Sequence, residues 1–226
     1  MEAELDRPQI LNDRQEAGRR LGERLLRFRR QHPVILGIPR GGVVLAAKIA
    51  DMLDAPLDIL AVRKIGAPIN PEYGLGAVAE GGIRLLDAPR IEELGYSPAS
   101  LEPVIEEELK ELERRIRRYR EGRPRIELRN RSVILVDDGV ATGGTVRVAI
   151  QALRALHVSR IILALGVCPP ETYARLRQEA DDIVVLAIPH TFYAVGEWYR
   201  KFEPVEDDEV CELLRSAVAA RRSAHA

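Results

Sequence analysis

The residues best suited to chemistry lie together at 133–145. Four apolar residues, Val133, Ile134, Leu135 and Val136, lead into two adjacent acids, Asp137 and Asp138, and then into Gly139, Val140, Ala141, Thr142, Gly143, Gly144 and Thr145. The apolar run predicts a buried parallel strand, and the small residues after it predict a loop entering a helix. In an open α/β sheet such a strand end is where ligands sit. Residues 142–145 can wrap backbone N–H groups and two hydroxyls around a phosphate, since glycine lets the backbone come close and take positive φ. The helix N-terminus adds about 0.3–1 kcal/mol for a bound anion. Asp137 and Asp138 would repel a phosphate, so they need another partner, and vicinal ribose hydroxyls are good donors. The segment reads as a cradle for a ribose 5-phosphate, with carboxylates on the sugar and amides on the phosphate. Two blander readings stand beside it: a turn in which an Asp caps the helix, or an Asp–Asp pair holding magnesium in an acidic pocket. No Gly-Lys-Ser/Thr follows the glycines and the dinucleotide fingerprint is missing, so those two nucleotide motifs are excluded.

This segment closely resembles the 5-phosphoribosyl 1-pyrophosphate (PRPP) signature of type I phosphoribosyltransferases, in which an apolar strand leads into two acids, a Thr-Gly pair and a final Thr. The resemblance implies that Asp137 and Asp138 hold the ribose hydroxyls, and that Ala141, Thr142, Gly143, Gly144 and Thr145 hold the 5-phosphate. A second strand end, Gly37, Ile38, Pro39, Arg40, Gly41 and Gly42, fits the family's pyrophosphate loop. Amides at Gly41 and Gly42 and the side chain of Arg40 would then grip the diphosphate. Related enzymes often carry a non-proline cis peptide in this loop, which a sequence does not reveal. Residues 62–74 resemble the mobile loop that closes over PRPP, with Arg63 and Lys64 as catalytic cations at its base. They lack the Ser-Tyr pair of hypoxanthine-guanine enzymes and the histidine of orotate enzymes, so the acceptor stays open. Residues 189–203 match the family's variable hood, where Phe192, Tyr193 and Trp198 suit stacking on a planar base. A hydrophobic cap on the core is the equal alternative.

The resemblance spans about residues 34–199. It implies transfer of the phosphoribosyl group to a nucleobase or similar small nitrogen acceptor, with Mg2+ held mainly by PRPP and water. A non-catalytic PRPP sensor and a hydrolase using the same cradle are the other readings.

The elements that must position these residues follow from periodicity. Short apolar runs at 34–38, 57–62, 133–136, 161–167 and 183–187 alternate with helical segments at 43–53, 145–156 and 171–179. That alternation predicts a doubly wound, mostly parallel α/β sheet. Asn12 or Asp13 can cap a first helix to about Arg30, with Leu21, Leu25 and Phe28 as its stripe. Its arginines, Arg14 among them, read as a solvated face or an anion-attracting rim. Residues 75–79 and 83–86 predict a strand pair, and 63–74 an open polar loop. Residues 89–95 predict a short helix. Ser97 or Ser100 opens a charged helix to about Arg120 inside an insertion at 96–131, suited to packing on a second subunit of a homodimer or to a plain surface. Asp207 or Asp208 opens the last helix. The expectation is one domain over residues 1–226.

Composition bounds the setting. The 226 residues are 46% hydrophobic but only 4% aromatic, so aliphatic side chains must fill the core. A formal net charge of −1 gives no footprint for nucleic acid. No apolar run approaches a signal peptide or the roughly 18 residues of a membrane span, and Cys168 and Cys211 read as two reduced thiols in a cytoplasmic protein.

Overall fold

The computed structural model describes residues 10–70 and 73–224. Helix α1 (Arg14–Leu25) tightens into a 3-10 segment (Leu26–Gln31) and leads to β1 (Val34–Gly37), α2 (Gly41–Leu53) and β2 (Leu57–Ile59). An antiparallel unit follows, made of β3 (Val62–Gly66), β4 (Gly74–Ala79) and β5 (Ile83–Leu86). Helices α3 (Ala88–Glu93) and α4 (Pro98–Arg120) precede β6 (Ser132–Gly139), α5 (Gly144–Ala155), β7 (Arg160–Val167), α6 (Pro170–Glu179), β8 (Asp182–Ala187) and α7 (Asp207–Ala224).

The main sheet is parallel throughout, in the order β2-β1-β6-β7-β8. Its strands are apolar on both faces because both are covered. Ile35, Ile134, Val136 and Ile162 face a core shared with α1 and α2, while Leu36, Val133, Leu135 and Leu163 face a second core under α5 and α6. From β1 the chain moves outward to β2, and it returns on the other side of β1 as β6. That reversal opens a crevice at the carboxyl ends of β1 and β6, where Gly37 lies beside Val136.

Several sequence-based boundaries shift for physical reasons. Asp13, not Asn12, caps α1 by accepting from the Glu16 amide at 2.8 Å. The strand expected over 57–62 ends at Ile59, because Val62 already pairs antiparallel with Ala79. The loop expected from residue 63 is a strand as far as Gly66, and it pairs antiparallel with β4 from Gly74 onward. Arg63 and Lys64 give this strand a loop-like look because only Ile65 among its five residues is fully buried. Helix α2 begins at Gly41, two residues earlier than the apolar run suggests. Among the described residues no helix is long and apolar enough to cross a membrane. Cys168 and Cys211 are free and buried.

The apolar stripe of α4 is spent inside this chain: Leu101, Ile105, Leu112 and Tyr119 are buried in the core shared with α1 and α2. At its last turn Arg120 enters a buried ionic cluster. Its Nε donates to Asp58 Oδ1 at 2.9 Å, and its terminal nitrogens donate to both carboxylate oxygens of Glu80 and, at 3.2 Å, to the Ile59 carbonyl. The three side chains belong to residues 5–9% exposed, and they tie the end of β2, the end of β4 and α4 to one point. Removing the cation leaves two buried carboxylates uncompensated, which typically costs about 3–5 kcal/mol. Arg120→Met should lower the urea unfolding free energy by about that amount. A loss under about 1 kcal/mol would show that the cluster is not holding the two sheets together.

Candidate active site

The crevice is built from two helix starts that no side chain caps. Asp13, Asp87 and Ser97 cap α1, α3 and α4 with their side chains, whereas α2 starts on Arg40 and α5 on Gly143 with no such bond. The first-turn amides of α2 and α5 therefore lack a side-chain acceptor from the protein, and such amides suit an anion. The peptide between Pro39 and Arg40 is cis. Glycine is required here by contact. A Cβ on Gly41 would lie 1.9 Å from Asp138 Oδ2, and one on Gly42 2.5 Å from the Val136 carbonyl oxygen. Gly143 needs its left-handed φ of 82° to turn the chain into α5.

Residues 141–145 are oriented from α6. Thr172 donates its hydroxyl to the Ala141 carbonyl at 2.7 Å, and Arg175 donates to the Thr142 carbonyl at 3.4 Å. With these carbonyls occupied on the α6 side, the loop is held in a fixed shape. Thr172 was not singled out in the sequence, and a hydroxyl in a residue only 3% exposed is the signal that identifies it in the structure.

Asp137 and Asp138 end β6 between the two helix starts. The Asp138 amide donates to Asp137 Oδ1 at 2.9 Å. Asp138 Oδ2 accepts from Arg14 Nε at 2.7 Å, and the Asp138 carbonyl accepts from the Tyr199 hydroxyl at 2.5 Å. Burial raises the Asp137 pKa well above the ordinary carboxylate range, the negative charge of Asp138 adds to it, and Arg14 opposes it. Burial and Asp138 likewise raise the Tyr199 hydroxyl. Arg14 and Tyr199 are partners that the motif itself does not contain, and Arg14 belongs to the site rather than to a solvated face.

The structure separates the two cations expected to act together. Lys64 is exposed on β3 and lines a cleft of about 970 Å³ with Thr142, Gly144, Arg90 and Arg147. Arg63, its neighbour, bonds Glu108 of α4 and lies 3.9 Å from Glu111, because successive strand side chains point to opposite faces. Arg40 is exposed and 3.5 Å from Glu206.

The hood crosses the end of β6, where a Cβ on Gly139 would meet Val195 Cγ1 at 2.4 Å. Phe192 and Trp198 pack against the core and the Trp198 indole nitrogen is buried without a partner, whereas Tyr193 is 81% exposed. Phe192 and Trp198 thus act at least partly as the hydrophobic cap. Leu11 donates its amide to the Trp198 carbonyl and accepts from the Arg200 amide, both at 2.8 Å, so the chain's first described residues are laced to the hood.

Comparison with known proteins places this geometry. The family model described as "Phosphoribosyl transferase domain" matches residues 9–199. A Mycobacterium tuberculosis protein named "Putative phosphoribosyl transferase Rv0571c" is 42% identical over 208 residues, which is 92% of this chain and 47% of that protein. The chain thus spans about half the length of the curated relatives it matches. The crystal structure of TT1426 from Thermus thermophilus is similar with a TM-score of 0.79 and 40% identity, covering 91% of this chain and 98% of that one.

The raised Asp137 makes the empty site a stability cost. The folded state holds its proton more tightly than the unfolded chain does, so this contribution is complete below about pH 3.9 and is lost as pH rises through the raised value. Asp137→Asn should therefore melt above wild type at pH 8 and together with it near pH 3.5. Melting below wild type at pH 8 would mean that the carboxylate carries no such penalty.

Proposed function

Because this chain belongs to the phosphoribosyl transferase domain family, we propose that it transfers the phosphoribosyl group of PRPP to a nucleobase or similar small nitrogen acceptor, releasing pyrophosphate. The observation that carries this reading is the pair of uncapped helix starts at Gly41 and Gly144, side by side at the sheet's switch point with Asp137 and Asp138 between them. Two amide clusters suit two phosphate groups of one ligand, and a carboxylate pair suits the sugar that joins them.

In this reading the amides of Gly41 and Gly42 and the Arg40 side chain take the diphosphate. Residues 141–145 take the 5-phosphate, and Asp137 and Asp138 take the ribose hydroxyls. Bond breaking at the anomeric carbon moves negative charge onto the departing diphosphate. Fixed amides and cations already aimed at it lower that barrier without reorganising. In this reading Mg2+ would be held mainly by PRPP and water oxygens, with few ligands from the protein. When bound, that cation neutralises diphosphate charge.

Lys64 is the side chain best placed to act late. It stands on the β3–β4 hairpin, across the cleft from Thr142 and Gly144, and closing that hairpin would bring its ammonium toward the phosphates and exclude water. An interaction made mainly in the transition state raises kcat, whereas a passive sensor needs only ground-state affinity.

Magnesium with PRPP should raise the melting temperature, adding about 2.7 kcal/mol at a hundredfold excess over Kd, and ribose 5-phosphate should do so less. No shift with either at millimolar concentration would sink the donor assignment. Lys64→Ala should lower kcat roughly 10²–10³-fold with little change in PRPP affinity, measured as pyrophosphate release with the best acceptor from a nucleobase screen. Unchanged turnover would remove Lys64 from the chemistry, and wild type inert with every acceptor would favour a PRPP sensor.

A further inference from the structure

Seven arginines crowd α1 and the 3-10 segment after it, and one of them is placed unlike a surface cation. The Arg14 side chain is 11% exposed. Its Nε donates to Asp138 Oδ2 at 2.7 Å, and a terminal nitrogen donates to the Glu203 carbonyl at 2.7 Å. Its guanidinium carbon lies 3.8 Å from the centre of the Phe202 ring, and that ring packs 5.1 Å from Tyr199. A Cβ on Gly41 would lie 1.9 Å from Asp138 Oδ2 and 2.9 Å from Arg14 Nε. The ion pair therefore rests directly on the loop after β1.

One side chain thus meets three parts of the crevice: the strand end that carries the acids, the loop after β1, and the last residues of the hood. We propose that Arg14 is a positioning residue for PRPP, which clamps the Asp138 carboxylate against the Gly41 loop so that the diphosphate-binding and ribose-binding halves form one site. This inference rests on the PRPP reading.

The charges around Asp138 explain why a clamp is needed. Asp137 stands beside it on β6, Arg14 and Glu16 come from α1, Tyr199 donates to its carbonyl, and Gly41 brings no charge. Arg14 is the only cation that bonds the pair among the described residues. Two neighbouring carboxylates repel, and a guanidinium fixed by a second hydrogen bond and an aromatic face offsets that repulsion at a set position. Without it Asp137 would take up a proton more readily and offer the ribose hydroxyls less charge. The Asp138 side chain would also lose its fixed direction beside Gly41.

The test measures the Kd of Mg·PRPP by calorimetry between pH 5.5 and 8.5, with a melting temperature for each protein. The proteins are wild type, Arg14→Gln, Arg14→Lys and the exposed control Arg19→Gln. Arg14→Gln should weaken binding about 10- to 100-fold near neutral pH. Its loss of affinity on acidification should begin at higher pH than in wild type. Arg14→Lys keeps the charge but not the planar fork, so it should bind between the two with a pH dependence like that of wild type. Arg19→Gln should match wild type. A lowered melting temperature in Arg14→Gln, with Kd and its pH dependence unchanged, would mean that Arg14 only holds the fold and would overturn the inference. If Arg14→Gln does not fold, Arg14→Lys decides: an unchanged Kd overturns the inference and a several-fold loss supports it. Wild type failing to bind Mg·PRPP at every pH would overturn the PRPP reading itself, an outcome distinct from variants that bind like wild type.

Discussion

Two adjacent carboxylates at the end of a buried strand are a local conflict that a fold must resolve. Asp137 sits where burial and the neighbouring Asp138 both disfavour its charge. The chain answers with one guanidinium, from Arg14, and with a strand end flanked by two helix starts whose partial positive charge faces the crevice. One cation against two acids leaves Asp137 holding its proton more tightly than an ordinary carboxylate. On the PRPP reading this cost is stability spent on function.

The rest of the architecture serves that placement. A parallel sheet puts every strand's carboxyl end on one edge, and the reversal between β1 and β6 opens that edge into a crevice. The helices supply the two amide clusters because α2 and α5 start where those strands end. The antiparallel β3–β5 unit is pinned at its root by Arg120, Asp58 and Glu80. Such an arrangement keeps Lys64 near the cradle and leaves Arg63 to the acids of α4.

How much of this was legible in the sequence follows the distance over which each feature is encoded. Segments 37–42 and 133–145 are contiguous, and their strand, turn and helix start could be read residue by residue. The doubly wound sheet was legible for the same reason, since each strand and helix declares its own period. Arg14 and Tyr199 were not, because they reach Asp138 from 124 and 61 residues away. In an arginine-rich helix nothing local distinguishes Arg14 from Arg19. Arg120 was legible only as the end of a charged helix, because Asp58 and Glu80 lie 62 and 40 residues away. The β3 strand was hidden by its own polar residues, and the sequence left the hood's aromatics open between base stacking and a core cap, which the fold divides: Tyr193 is exposed and Trp198 packs against the core.

The central claim is that two helix starts and the acids between them hold one ligand. Backbone amide signals in a nitrogen–proton NMR spectrum test it most directly. Titration with Mg·PRPP should move the amides of Gly41 and Gly42 together with those of Thr142, Gly143, Gly144 and Thr145, in one saturable event. Magnesium with ribose 5-phosphate should move the second group and leave Gly41 and Gly42 nearly in place. Shifts confined to either group with Mg·PRPP, or scattered over the surface without saturation, would contradict a single PRPP site.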